Sequence, residues 1–240
     1  MGQVSQNLIL IPGSLCDERV WQNQARDLAD IAEIAVAHLH GHDSLVAMAR
    51  ATLADAPERF ALAGFSMGGR VALEMMRLAP ERITRLALVD SSIHPIAEGE
   101  AERRQPQIDM TYKDGMGAFA DWWNPRIVHA SRREDAGYMA LLRSMAESFT
   151  PEEYEKEVRA LLTRPDAREV LGSIAVPTLV LFGTEDMLST PERNRSIAEA
   201  IPGARLVPVE ETGHFPMLEK PEEVTAAMRE WLLLPLTGEG

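Results

Sequence analysis

Short apolar runs that alternate with amphipathic segments constrain this chain more than any other feature of its sequence. The runs are LILI (8–11), IAEIAVA (31–37), FALAGF (60–65), RLALVD (85–90), PTLVLFG (177–183) and ARLVPV (204–209). This is the pattern of parallel strands with helices packed on both faces. The segments between the runs have helical periodicity. Val20, Trp21, Gln24, Ala25 and Leu28 share one face, and Ser44 is placed to N-cap a helix through Leu45, Met48, Ala49, Thr52 and Leu53. Another helix begins at Ser66 and stops by Pro80, because proline disfavours helical geometry in the residue before it. Pro191 and Pro221 each open a further helix, the second carrying Val224, Met228, Trp231 and Leu232. The expected architecture is an α/β three-layer sandwich with a central, mainly parallel sheet of about six strands and helices on both faces. A chain of 240 residues can bury one such core.

One gap breaks the rhythm. Asp90 to Pro177 is far longer than a crossover helix needs, and it contains the helical pieces GEAERRQPQIDM, REDAGYMALLRSMAESF and TPEEYEKEVRALL. Thr150, Pro151 and Glu153 form a capping-box-like start for the last of these. The gap also concentrates aromatic residues: Tyr112, Phe119, Trp122, Trp123, Tyr138, Phe149 and Tyr154 are seven of the chain's thirteen. Either such rings cover an apolar pocket, with Trp122 and Trp123 as the substrate-facing candidates, or they only form the core of the insert itself. The expected division is a core of residues 1–94 and 171–240 with a helical cap over 95–170, and the final TGEG reads as a frayed tail.

Composition removes several function classes. Acidic residues outnumber basic ones 37 to 24, a formal charge of −13, so the field repels phosphate backbones and anionic lipid surfaces. Neither nucleic acid nor membrane is an expected partner. Cys16 is the only cysteine, which excludes a disulfide framework and a thiolate metal cluster and suits a reducing compartment. The opening MGQVSQN lacks a cationic start, and no apolar stretch approaches the roughly 20 residues that span a bilayer. A cytoplasmic protein with a small-molecule substrate and no cofactor is expected, its oligomeric state left open.

Chemistry concentrates in LAGFSMGGR, residues 62–70, a Gly-x-Ser-x-Gly match that is suggestive alone and stronger in context. FALAGF is a strand pattern and MGGRVALEMMRLA a helix pattern, so Ser66 lies at the strand-to-helix junction where such a turn presents a hydroxyl. Side chains at 64 and 68 would collide with the neighbouring strand and helix. The start of the helix also aims the Met67 N–H at the space above Ser66. A serine hydroxyl needs a base and a group to orient that base. FGTEDMLS supplies Asp186 just past the fifth strand, and EETGHFPML supplies His214 in the loop after the sixth. Parallel strands open their carboxyl ends on one edge, so Ser66, Asp186 and His214 converge there.

These motifs resemble the α/β-hydrolase fold family: GFSMGG its nucleophile elbow, LFGTEDMLS its acid loop, GHFPMLEKPEEV its histidine loop and final helix. The resemblance covers nearly the whole chain outside the insert, where the family carries its helical cap. It implies that Ser66 is the nucleophile, His214 the general base and then acid, and Asp186 the group that fixes the imidazole tautomer. In LIPGSLCDERVW, Pro12 replaces a histidine common in the family, and Gly13 remains. The Ser14 N–H is then the second oxyanion donor beside Met67, with Leu15 the lesser choice. The chain also leaves no room for the two antiparallel strands that commonly open the family's sheet.

Asp90 follows the fourth strand and is a rival acid, but GTED matches the acid turn better than VDSS. His38, His40 and His42 alternate in a polar loop without Glu or Cys in a metal-ligand pattern, so no metal site is expected. His94 is within reach of the pocket mouth, His129 belongs on the insert's surface, and Cys16 behaves as a small buried hydrophobe. Leu15, Phe65, Met67 and Phe215 flank the three motifs and are further candidates to touch substrate. The expected activity is metal-independent hydrolysis of a small, largely apolar ester or related acyl compound through an acyl-enzyme. A carbon–carbon bond hydrolase, thioesterase, lactonase or perhydrolase would use the same motifs, and a non-catalytic small-ligand receptor is the alternative of another class.

Overall fold

The computed structural model describes residues 6–236, so the final TGEG and the first residues of MGQVSQN lie outside the described residues. Six strands form one sheet: β1 (Gln6–Ile11), β2 (Ala32–Val36), β3 (Phe60–Phe65), β4 (Ile83–Val89), β5 (Thr178–Gly183) and β6 (Arg205–Val209). Their order is β2-β1-β3-β4-β5-β6 and every neighbouring pair is parallel. The order reverses direction at β1, so chain ends on either side of it leave a crevice at the carboxyl edge.

Strand residues divide between two cores with the two-residue period of a pleat. Leu8, Leu10, Ala61, Ala63, Leu179 and Leu181 point to one face, where they meet Trp21, Leu28, Val224, Met228 and Trp231. That layer is α1 (Gln22–Asp27) and two later helices described below. Ile9, Ile11, Leu62, Leu86, Leu88 and Val180 point the other way, against α2 (Leu45–Asp55) and α3 (Met67–Leu78). The three-layer architecture read from the sequence is the one observed.

Between β4 and β5 run α4 (Glu100–Asp114), α5 (Met116–Ile127), α6 (Ala136–Ala146), α7 (Pro151–Leu162) and the short α8 (Arg168–Leu171). The capping box opens α7: the Glu153 N–H donates to Thr150 Oγ1 at 3.2 Å and the Thr150 N–H to Glu153 Oε2 at 2.7 Å. The sequence pattern gave no helix for α5, because its aromatic pairs and Pro125 blur the 3.6-residue period. Phe119, Phe149 and Tyr154 are buried together in the insert's own core, while Tyr112 and Trp122 are 49% and 36% exposed. The chain ends with α9 (Pro191–Ala200), α10 (Pro216–Glu219) and α11 (Pro221–Leu232). No helix among the described residues is long and apolar enough to cross a membrane.

Trp231 on α11 is fully buried beneath the sheet, and its indole N–H donates to the Pro177 carbonyl at 3.0 Å. Trp231→Ala removes both the ring and that bond, so equilibrium denaturation is expected to register a loss of about 3–5 kcal/mol.

Candidate active site

The turn between β3 and α3 sets the site. Ser66 sits at φ +53°, ψ −115°, outside the regions that side-chain-bearing residues favour. Its own N–H donates to the Val89 carbonyl at 2.9 Å, and its carbonyl accepts from Ser91 Oγ at 3.0 Å, so the end of β4 and the loop after it hold the strained residue from both sides. The turn closes because its glycines let backbones touch. A Cβ on Gly64 would stand 2.4 Å from the Gly68 carbonyl oxygen, and one on Gly68 2.5 Å from the Ile11 and Pro12 oxygens.

Three side chains from three loops meet at this edge. His214 Nδ1–H donates to Asp186 Oδ2 at 2.7 Å, and the Ser66 hydroxyl lies 2.9 Å from His214 Nε2. With its Nδ1 proton held by Asp186, the ring presents Nε2 as an acceptor to the hydroxyl. Asp186 and His214 are almost fully buried. Burial alone would raise the Asp186 carboxyl, but the charge and hydrogen bond of His214 hold it below its ordinary value. Asp186 Oδ1 also accepts from the Leu188 N–H at 2.7 Å. The His214 backbone N–H donates to the Ile127 carbonyl at 2.8 Å, which ties the histidine loop to the end of α5.

Asp90, the rival acid, occupies the space behind Asp186. It takes φ +40°, and its carboxyl accepts from the Gly183 N–H at 3.1 Å. Burial first, and the Asp186 charge second, push its pKa well above the ordinary value. Donor atoms of Asp90, Asp186 and His214 lie within 4.8 Å of one another, close enough for a metal ion. The His214 nitrogens already face Asp186 and Ser66, which leaves no free imidazole ligand there. His40 is turned elsewhere, stacked on Phe149 at 4.5 Å between ring centres.

A cavity of about 470 Å³ opens over Ser66 and His214. Ser14, Leu15, Met67, His94 and Trp123 border it, as their motifs suggested. Phe65, Phe215 and Trp122 do not. Phe65 lies under the site, with its ring 5.0 Å from the His214 ring, and Phe215 packs beside it in the lower core. Trp122 lies on the outer side of α5, beneath the Arg126 guanidinium at 4.4 Å. His129 is only partly exposed, and its Nε2 pairs with Glu185 at 3.2 Å. The cavity wall is also less apolar than the sequence suggested, for five arginines border it. Arg70 was legible in principle: it follows Ser66 by four residues in GFSMGGR, in the first turn of the helix, where a side chain leans back towards Ser66.

The loop after β1 is held by a residue that motif reading passed over. Glu157 on α7 accepts from Ser14 Oγ at 2.6 Å and from the Leu15 N–H at 3.0 Å, both on Oε2. The Leu15 N–H is therefore occupied, and Leu15 itself takes φ +58°. An acid at 157 on the buried face shared with Tyr154 and Val158 is the one sequence signal for this role.

Burial pushes the Glu157 carboxyl up from 4.5 to about 7, against the two hydrogen bonds that lower it and with a further upward push from Glu153. The unfolded chain releases this proton near 4.5 and the folded chain near 7, so across that window the folded state binds more protons. Stability therefore falls as pH rises through it, by a span on the order of 3 kcal/mol. Glu157→Gln keeps an acceptor oxygen and removes the charge. Denaturation at pH 5 and pH 8 is expected to show a smaller decline in the variant than in the parent chain.

The chain is similar to known proteins over most of its length. The model of the "Alpha/beta hydrolase family" matches residues 8–227. A pimeloyl-[acyl-carrier protein] methyl ester esterase of Nitrosomonas europaea is 27% identical over 90% of this chain and 92% of its own length. An enzyme of the same name from Photobacterium profundum is 27% identical over 94% of each chain. Among solved structures, an esterase from Thermogutta terrifontis, bound to malate, superposes with a TM-score of 0.86 at 29% identity, covering 95% of this chain and 89% of its own. The enol-lactonase of Burkholderia xenovorans gives 0.86 at 25% identity, covering 96% and 92%. With its matching family model, its sheet and its esterase relatives, the chain belongs to the alpha/beta hydrolase family and is a hydrolase.

Proposed function

We propose that the protein is a serine ester hydrolase in which Ser66, His214 and Asp186 act as nucleophile, base and orienting acid. The observation that carries this reading is the continuous hydrogen-bonded path from Ser66 Oγ through the His214 ring to Asp186, at 2.9 and 2.7 Å, opening on a cavity. His214 Nε2 takes the hydroxyl proton as Ser66 Oγ bonds to the ester carbonyl carbon. The carbonyl oxygen becomes an oxyanion that the Met67 and Ser14 N–H groups receive, Leu15 being spent on Glu157. Collapse of this intermediate breaks the bond to the alcohol, which leaves with the proton from His214. Water then attacks the acyl-enzyme carbonyl, giving its proton to His214, and the acid departs as Ser66 regains its hydrogen.

Residues 95–170 serve as a helical cap over this site, a reading supported by Glu100, Trp123 and Tyr154 of the insert bordering the cavity beside Ser66. The substrate class that fits the relatives' names is an ester of a small alcohol, a methyl ester above all. A cyclic ester is the second reading, favoured by the likeness to an enol-lactonase. A cytoplasmic location is in keeping with a single, buried, unpaired cysteine.

Ser66→Ala is expected to lower kcat/KM for short-chain methyl esters by at least about 10⁴-fold, and Asp186→Asn by about 10³–10⁴-fold through loss of the correct imidazole tautomer. Steady-state kinetics with chromatographic detection of the released acid checks both. Turnover by Ser66→Ala equal to that of the parent chain would remove Ser66 from the mechanism.

A further inference from the structure

The cavity carries a charge opposite to that of the chain as a whole. Five arginines and a single glutamate border it, in a protein of formal charge −13. The glutamate is already engaged. Arg164 Nη1 donates to Glu100 Oε1 at 2.8 Å and Nη2 to Oε2 at 2.6 Å, while Arg104 reaches Oε1 at 3.0 Å. Burial pushes the Glu100 carboxyl upward, but these bonds win and bring it down to about 2. Among the described residues that border the cavity, no second carboxylate answers the remaining positive charge.

Arg70 is a buried guanidinium of the cavity wall. It is only 8% exposed, and its Nη2 donates to neutral oxygens, Ser92 Oγ at 3.1 Å and the His94 carbonyl at 3.2 Å. Its Nη1 is buried and has no hydrogen-bond partner among the described residues. Arg164 Nε donates to the same His94 carbonyl at 3.0 Å, so two guanidinium groups crowd one oxygen. Burial, and then the Arg164 charge, draw Arg70 down to about 9, which leaves it protonated at neutral pH. Arg193, nearer the mouth, spends Nη1 on the Leu188 carbonyl and pairs with none of the described carboxylates. Burial of a charge without a partner is costly, and buried charges are ordinarily paired. A pocket that keeps one unpaired beside its reacting hydroxyl is built for an anion that arrives from outside.

Position agrees with charge. Arg70 lies in the first turn of α3, which starts directly after Ser66, and side chains on a helix lean towards its N-terminus, here the Ser66 end. The pocket also displays the shape of anion it accepts, because Arg164 grips the two oxygens of Glu100 with two parallel N–H groups. We propose that Arg70, with Arg193 at the mouth, forms a carboxylate subsite, and that the substrate is an ester carrying a carboxylate on the same short chain as its reacting carbonyl. This rests on the ester-hydrolase reading above and narrows its substrate class from small esters to anionic ones.

The test compares kcat/KM of the full chain on two matched pairs: monomethyl glutarate against dimethyl glutarate, and acetoxybutanoate against butyl acetate. The pairs put the carboxylate on the acyl and on the alcohol side. A preference of tenfold or more for the anionic ester in either pair is expected, with a fall in that preference of at least tenfold in Arg70→Gln and a smaller fall in Arg193→Gln. Equal kcat/KM within both pairs, or a preference that survives in both variants, would overturn the subsite. A separate measurement covers a variant that fails to fold and a hydrolase reading that fails. Isothermal calorimetry of glutarate with Ser66→Ala needs no turnover, and saturable binding that weakens with added sodium chloride is expected. Absence of glutarate binding, or tighter binding of inorganic phosphate, contradicts the carboxylate assignment, whereas binding without turnover of any ester contradicts only the hydrolase reading.

Discussion

The close approach of α3 to the sheet is the constraint from which the rest of the site follows. Gly64 and Gly68 bring the first turn of the helix against the β3 backbone and the carbonyls of Ile11 and Pro12, nearer than any side chain would allow. The cost of that contact is carried by Ser66, whose positive φ is held by bonds to Val89 at the end of the neighbouring strand and Ser91 in the loop after it. A residue strained in this manner has little freedom to turn away, so its hydroxyl stays aimed at His214. The same packing starts α3 directly behind Ser66, with the Met67 N–H at the head of the helix dipole. Local strain, orientation and electrostatics are here one feature of the backbone.

Around that turn the other loops are fastened to one another rather than left to the solvent. Asp90, its carboxyl pushed up by burial, backs Asp186; Asp186 orients His214; and the His214 backbone is bonded to the end of α5. Glu219 extends the tie, accepting from the Gly213 N–H at 2.7 Å and from the Tyr138 hydroxyl at 3.2 Å on α6. On the opposite side, Glu157 of α7 holds the loop of Ser14 and Leu15. The helices inserted between β4 and β5 therefore shape the site through the loops that they brace as well as through the walls they add to the cavity.

Much of this was legible in the sequence, for identifiable reasons. The sheet was readable because each strand is a short apolar run bounded by helices of clear period, and the meeting of Ser66, Asp186 and His214 because parallel topology carries every strand end to one edge. The α5 helix was not, since WWNP has neither a helical stripe nor a helix former at its end. Phe65 and Phe215 adjoin the motifs in sequence yet point into the lower core, because alternate residues at a strand end or turn face opposite sides. The character of the cavity was hidden for a different reason. Arg70, Arg103, Arg104, Arg164 and Arg193 are spread over four segments, and in a chain of net negative charge only the fold gathers them. Glu157 shows a related limit: its place on the apolar face of α7 marks it as buried, but only the fold shows that it holds the loop of Ser14 and Leu15.

The central claim is that Ser66 is an activated nucleophile, and covalent capture tests it most directly. The folded protein is treated with a fluorophosphonate, and the adduct is located by intact-mass and peptide mass spectrometry. The expected result is one phosphonyl group per chain, carried on the peptide containing Ser66 and lost in His214→Ala. A folded chain that remains unmodified, or one labelled elsewhere while Ser66 stays free, would contradict it.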